Sequence, residues 1–195
     1  MKVAIIKYNA GNIRSVSFAL ERLGINFTVT DSEEEIRTAD KVIFPGVGEA
    51  SSTMRYLREN KLDNVIRRLQ QPTLGICLGM QLMCRHSEEN NTEGLGIFEE
   101  TVRRFNGEHL KIPHMGWNAI EKLSGWLEDI AEGSYCYFVH SYYVPLTLHT
   151  TAQTTYGLPF SAALKKDNFY AVQFHPEKSA EMGEKIIKTF LEQPR

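Results

Sequence analysis

Short apolar runs and amphipathic stretches alternate along the first half of the chain. Val3-Ala4-Ile5-Ile6, bracketed by Lys2 and Lys7, predicts a first strand. A helix is expected over residues 13 to 23, closed by Gly24 and placed to be N-capped by Asn12. Asn26 to Thr30 predicts a second strand, and Ser32-Glu33-Glu34-Glu35 opens a short helix in a capping-box arrangement. Lys41-Val42-Ile43-Phe44 predicts the next strand, followed by the loop Pro45-Gly46-Val47-Gly48. Residues 49 to 59 and 61 to 70 place Leu62, Val65, Ile66 and Leu69 at helical spacing against charged positions, a pattern of packing and solvated faces.

An apolar run after Pro72 predicts a buried strand that turns at Gly75-Ile76-Cys77-Leu78-Gly79 into a helix reaching about residue 87. Ser87 to Glu93 is polar and reads as a loop. Strands then become short and numerous, around 95 to 105, 117 to 123, 135 to 140, 149 to 155, 160 to 165 and 169 to 174, before an amphipathic helix near 180 to 192. This change of rhythm predicts an α/β protein with a mixed sheet to which antiparallel strands have been added.

The 195 residues suffice for one well-buried core, and a single domain over 1–195 is expected. Lys plus Arg number 22 against 24 Asp plus Glu, so neither a basic stripe for nucleic acid nor an acidic disordered tail is present. Apolar runs fall far short of the roughly 20 residues of a membrane span, which predicts a soluble, cytoplasmic protein. Three cysteines, at 77, 84 and 136, make neither a disulfide framework nor a Cys-x-x-Cys zinc pair, and no metal or cofactor is expected. Cys84 and Cys136 read as packing residues.

Cys77 differs from them in its surroundings. At the corner between a strand and a helix a side chain is lifted clear of the sheet, and flanking glycines permit the tight backbone this requires. The helix N-terminus favours thiolate, the nucleophilic form. A lone cysteine can equally be a small core residue; the glycines after a strand favour the nucleophile. Two further blocks suit such a centre. Gly46 and Gly48 follow a strand and could point a backbone N–H into a cleft, although many strand-to-helix turns look similar. Val172-Gln173-Phe174-His175-Pro176-Glu177 delivers a histidine at a strand end, with Pro176 stopping the ladder and Glu177 two residues on, the composition of a base and its orienting acid. His140 reads as a satisfied semi-buried histidine ahead of a site residue, and Pro113-His114-Met115-Gly116-Trp117-Asn118 as a packed turn. The glycine-bearing loop from Tyr8 to Asn12 lacks a nucleotide-binding fingerprint.

Pro45-Gly46-Val47-Gly48, Gly75-Ile76-Cys77-Leu78-Gly79-Met80-Gln81 and Val172 to Glu177, in that order, closely resemble the triad-type, or class I, glutamine amidotransferases. The blocks Pro113 to Asn118 and Tyr137-Phe138-Val139-His140-Ser141-Tyr142 are similar to those of the glutaminase subunits of imidazole glycerol phosphate synthases. The fold so implied is an open three-layer, flavodoxin-like, mostly parallel sheet with helices on both faces and added antiparallel strands. The resemblance implies Cys77 as nucleophile, His175 as general base and acid, Glu177 as its orienting group, and the N–H groups of Gly48 and Leu78 as an oxyanion hole. It implies that Gly46, Gln81, Ser141 and Tyr142 hold glutamine. The implied partner is a cyclase subunit with a (β/α)8 barrel, forming a heterodimer that receives ammonia directly, with Tyr8 to Asn12, Trp117 and Lys178 on the rim facing it. For Lys178 a solvated charge after a turn is the alternative. Service to another synthase, a hydrolase of different specificity and a non-catalytic binding module are the competing functions.

Overall fold

The computed structural model describes residues 1–8, 11–107 and 110–194. The helices and strands in chain order are β1 (Val3–Ile6), α1 (Ile13–Arg22), β2 (Phe27–Thr30), α2 (Glu33–Thr38), β3 (Lys41–Phe44), α3 (Ala50–Glu59), α4 (Leu62–Arg67), β4 (Thr73–Ile76) and α5 (Leu78–Met83). There follow β5 (Cys84–Ser87), β6 (Thr92–Glu93), β7 (Phe98–Arg104), β8 (His114–Ile120), β9 (Ser134–His140), β10 (Tyr142–Tyr143), β11 (Thr150–Tyr156), β12 (Leu158–Lys166), β13 (Phe169–Val172) and α6 (Ala180–Leu191). The main sheet has the order β11-β12-β13-β4-β3-β1-β2, parallel from β13 to β2 and extended by two antiparallel strands.

Burial on both faces explains the uniformly apolar strands. Val3 and Ile5 of β1 pack in one core with Val16 and Leu20 of α1 and Ile186 and Phe190 of α6. Ala4 and Ile6 of the same strand pack in a second core with Ile36 of α2, Leu57 of α3 and Ile66 of α4. The sheet is thus the middle of three layers, and the carboxyl ends of β3, β4 and β13, side by side, form the edge where the glycine and histidine blocks meet.

Three expectations are corrected. The helix after Cys77 ends at Met83, and Cys84–Ser87 forms a strand. The N–H groups of Leu95, Ile97 and Gly96 bond to the carbonyls of Leu82, Met83 and Cys84, so the acceptors that would have continued the helix are taken from a distance. The later strands divide: β11 and β12 extend the main sheet, β10-β7-β5-β6 makes a second sheet, and β8 with β9 makes a two-stranded ladder. Of that pair, β8 begins at His114, within the stretch read as a packed turn. Finally, the capping box at α2 is only half formed. Ser32 accepts from the Glu35 N–H, while its own N–H goes to Thr30 Oγ1.

The sheet edge is locked by two backbones in contact. A Cβ on Gly79 would lie 2.2 Å from the carbonyl oxygen of Phe44, and one on Gly46 would lie 2.4 Å from the nitrogen of Gly79. Gly79→Ala should therefore destabilise the fold by about 1–3 kcal/mol, the usual cost of overpacking. It would be read as a lower denaturant midpoint at constant m; an unchanged midpoint would contradict the interlock.

Candidate active site

Cys77 occupies the corner between β4 and α5 with φ +51° and ψ −105°, a conformation unusual for a residue with a side chain. Its N–H bonds to the Val172 carbonyl of β13 at 2.8 Å, tying the corner to the neighbouring strand. The residue is 6% exposed and lines a cavity of about 360 Å³ together with Gly48, Leu78, Gln81, Ser141 and Tyr142, a size suited to a small molecule.

His175 arrives from the end of β13. Its N–H bonds to the Tyr137 carbonyl at 2.8 Å, and Ser179 Oγ donates to the His175 carbonyl at 2.7 Å while accepting from the Tyr137 N–H at 2.9 Å. The loop is thereby clamped to β9. Nδ1 of His175 lies 2.8 Å from Glu177 Oε1, with both side chains wholly buried. The carboxylate accepts, so Nδ1 is the donor and Nε2 is the nitrogen left for chemistry; it has no hydrogen-bond partner among the described residues. Burial alone would push the imidazolium pKa down. The adjacent Cys77 sulfur and the Glu177 carboxylate outweigh it and hold the pKa up at about 10.

The loop after β3 sits across from this pair. Gly48 has φ +126°, open only to glycine, and the Leu78 N–H is directed at the Gly46 carbonyl, 3.4 Å away. Gly46 itself packs against Leu78 and Gly79 and is not among the residues that line the cavity, unlike Val47 and Gly48. Tyr8 donates its hydroxyl to the Pro45 carbonyl, and burial, reinforced by Cys77, pushes its phenol pKa up, so it remains a donor.

Gln81 Nε2 donates to the Tyr142 carbonyl at 2.9 Å and to Gln173 Oε1 at 3.0 Å. Gln173 in turn directs Nε2 at Cys77 Sγ, 3.6 Å away. That contact was not foreseen, because Gln173 sits in an apolar strand pattern that carries no mark of it. Glu89, also unforeseen in a polar loop, lines the cavity and accepts from the Ala50 N–H at 2.8 Å, at the start of α3. His140 is both of the things the sequence allows: it is satisfied by Tyr142 and it lines the cavity. Cys84 and Cys136 are buried, their thiols pushed up chiefly by burial.

The rim needs correction. Asn12 is only 3% exposed and makes no side-chain cap on α1; its Nδ2 donates to Glu177 Oε1 at 2.9 Å. Tyr8 is likewise buried, and Asn9 and Ala10 lie outside the described residues. Trp117, 52% exposed, and the exposed Lys178 flank Tyr137, with ring centroids 6.1 Å apart for the aromatic pair and Lys178 Nζ 6.0 Å above the Tyr137 ring. Among the described residues no cluster of His, Cys, Asp or Glu could hold a metal, and no helix is long and apolar enough to cross a membrane.

A cysteine on a strained strand-to-helix corner, beside a histidine oriented by a carboxylate, on an open α/β sheet, is the arrangement that cysteine-dependent acyl transfer requires. The chain belongs to the family described as glutamine amidotransferase class-I, whose sequence model matches residues 4–193. It is 60% identical over 195 aligned residues to a Bacteroides fragilis protein named imidazole glycerol phosphate synthase subunit HisH, an alignment covering 98% of this chain and 100% of that one. The protein of the same name from Escherichia coli K12 is 46% identical over 195 residues, with 98% and 100% covered. Among solved structures, one described as a glutamine amidotransferase superimposes with a TM-score of 0.76 over 97% of both chains at 21% identity, a likeness of fold.

Because the His175 pKa of about 10 lies above the 6.5 of a free imidazole, its bound proton stabilises the folded state fully below about 6.5, and this is lost as pH rises through 10. Cys77→Ala removes a neighbour that holds the proton. An NMR titration of the His175 ring should then move toward 6.5; an unmoved midpoint would mean that Cys77 does not act on the ring.

Proposed function

We propose that this chain is the glutaminase subunit of an imidazole glycerol phosphate synthase of histidine biosynthesis, a single cytoplasmic domain over 1–195 paired with a (β/α)8 cyclase subunit. The observation that carries the reading is the buried Cys77, His175 and Glu177 set beside a cavity of small-molecule size, in a chain aligned over 98% of its length with relatives bearing that subunit's name.

Glutamine enters with its carboxamide at Cys77. Gln81 spends both amide hydrogens inside the protein, and its Oε1 accepts no hydrogen bond among the described residues, leaving an acceptor for the substrate's ammonium. The backbone at Ser141 and Tyr142 holds the same end. The thiolate attacks the carboxamide carbon, His175 gives its Nε2 proton to the departing amine, and ammonia leaves a glutamyl thioester on Cys77. Water deprotonated by His175 then attacks the thioester and glutamate departs. Glu177, itself braced by Asn12, keeps the ring's Nδ1 protonated throughout.

Charge develops on the carboxamide oxygen, where each preorganised donor is worth about 2.7–4 kcal/mol. The Leu78 N–H is here paired with Gly46, so completing the oxyanion hole with the N–H of Gly48 requires the Gly46-Val47-Gly48 backbone to turn. The glycine at 48, already at φ +126°, permits that rotation. Ammonia must also leave unprotonated to be useful, which calls for a partner docked over the exit. Met115 and Trp117 of β8 and Tyr135 of β9 expose an apolar patch beside Lys178 that suits this partner.

The test is glutamate release by the chain alone and with a cyclase subunit and its ribotide ligand, Cys77→Ala serving as the blank. Activity that is weak alone, rises at least about tenfold with ligand-bound cyclase and vanishes in the blank is expected. Activity indifferent to the cyclase would contradict the pathway, and activity in Cys77→Ala would contradict the nucleophile. Lys178→Ala should weaken the complex or its ammonia transfer; if both are unchanged, Lys178 is not part of the interface.

A further inference from the structure

Two chains of directed hydrogen bonds meet on one backbone carbonyl, that of Tyr142 at the edge of the cavity. A carbonyl only accepts, so each chain has a fixed polarity. On one side, His140 Nδ1 lies 2.7 Å from the Tyr142 oxygen and must carry the proton, which leaves its Nε2 as an acceptor. His114 Nδ1 lies 3.0 Å from that nitrogen and must therefore donate, leaving His114 Nε2 to accept from Asn118 Nδ2 at 3.3 Å. The orientation of Asn118 is fixed independently. The Ala119 N–H donates to its Oδ1 at 2.9 Å, and its Nδ2 donates to the Thr155 carbonyl at 3.0 Å. Both ends of the relay thus demand the same protons. On the other side, Gln81 Nε2 donates to the Tyr142 oxygen and to Gln173 Oε1, which leaves Gln173 Nε2 as the group directed at Cys77 Sγ.

Burial keeps both rings neutral, lowering the pKa of His140 to about 3 and that of His114 to about 4. His114 does not line the cavity; it is stacked on Tyr156, centroids 4.0 Å apart, and on Phe138, 5.0 Å apart. We propose that His114 is a positioning residue of the glutamine site: by donating from Nδ1 to His140 it fixes the tautomer of His140 and hence the Tyr142 carbonyl, which orients Gln81. The assignment rests on reading the cavity as the glutamine site. Met115 and Trp117 lie on the outward face of the same strand, so the relay starts directly beneath the surface proposed for the cyclase.

Two measurements test it. Long-range ¹H–¹⁵N correlation spectra of the full chain, labelled in histidine, should find His114 and His140 neutral and protonated at Nδ1, the tautomer that free histidine disfavours; either ring charged or protonated at Nε2 overturns the relay. Glutaminase kinetics are then measured in the complex with cyclase and ligand. His114→Phe keeps the stacking without the donor, whereas His114→Asn places an N–H near the position of Nδ1. His114→Phe should raise KM for glutamine about tenfold or more with a smaller change in kcat, as expected when a buried acceptor loses its donor, and His114→Asn should stay within about threefold of wild type. Wild-type values for His114→Phe, or equal losses in both variants, overturn the proposal. Should His114→Phe fail to fold, the tautomers decide. A wild-type complex without glutaminase activity refutes the functional reading instead, and the tautomers of the two rings then decide whether the relay exists.

Discussion

The contact on which the site depends is the approach of the backbone after β3 to the first turn of α5. Phe44 and Gly46 lie so close to Leu78 and Gly79 that neither glycine could carry a methyl group. That approach holds the corner at which Cys77 takes a positive φ, a strain of order 1–3 kcal/mol that persists only where the surroundings over-determine it. It also sets the Leu78 N–H against the Gly46 carbonyl, so that the corner and the glycine loop are one mechanical unit. The third strand end, β13, joins them through the Cys77 N–H and carries His175 to the same edge.

Around this unit the interior is polar, and neighbours decide what each group does. His175 and His140 are both buried histidines, yet their pKa values move in opposite directions. Desolvation wins at His140, whose titratable neighbours are other imidazoles and supply no negative charge; at His175 it is outweighed by the Cys77 sulfur and the Glu177 carboxylate. A buried polar network of this kind is costly unless its members are satisfied. The convergence of His140 and Gln81 on the Tyr142 carbonyl satisfies their donors, while Asn12 Oδ1, Glu177 Oε2 and His175 Nε2 have no hydrogen-bond partner among the described residues.

Much of this was legible in the chain. Apolar runs announced the strands of the first half, and glycines flanking a cysteine after one of them announced the corner. His175 and Glu177 were conspicuous as polar groups closing an apolar strand. The rest depends on partners remote in sequence. The end of α5 is set by N–H groups of residues 95 to 97, which local periodicity around Cys84 does not contain. Asn12 has the composition of an N-cap, but its amide goes to a carboxylate 165 positions away. Gln173 and Tyr8 likewise look like strand and loop members until the fold brings them to Cys77 Sγ and the Pro45 carbonyl. Six of the later strands, β7 to β9 and β11 to β13, were legible individually, whereas β5, β6 and β10 were not; the division of all of them among three sheets is decided by which core each apolar face joins, and their own alternation does not encode that.

In the proposed reaction Cys77 forms a covalent bond to the substrate's acyl carbon. The most direct test of this bond is intact-protein and peptide mass spectrometry of the enzyme, complexed with cyclase and ligand, acid-quenched during turnover of glutamine. A glutamyl adduct on the peptide containing Cys77, absent without glutamine and discharged when turnover is allowed to finish, is the predicted result. Active enzyme with no adduct on Cys77, or an adduct on another residue, would contradict the account.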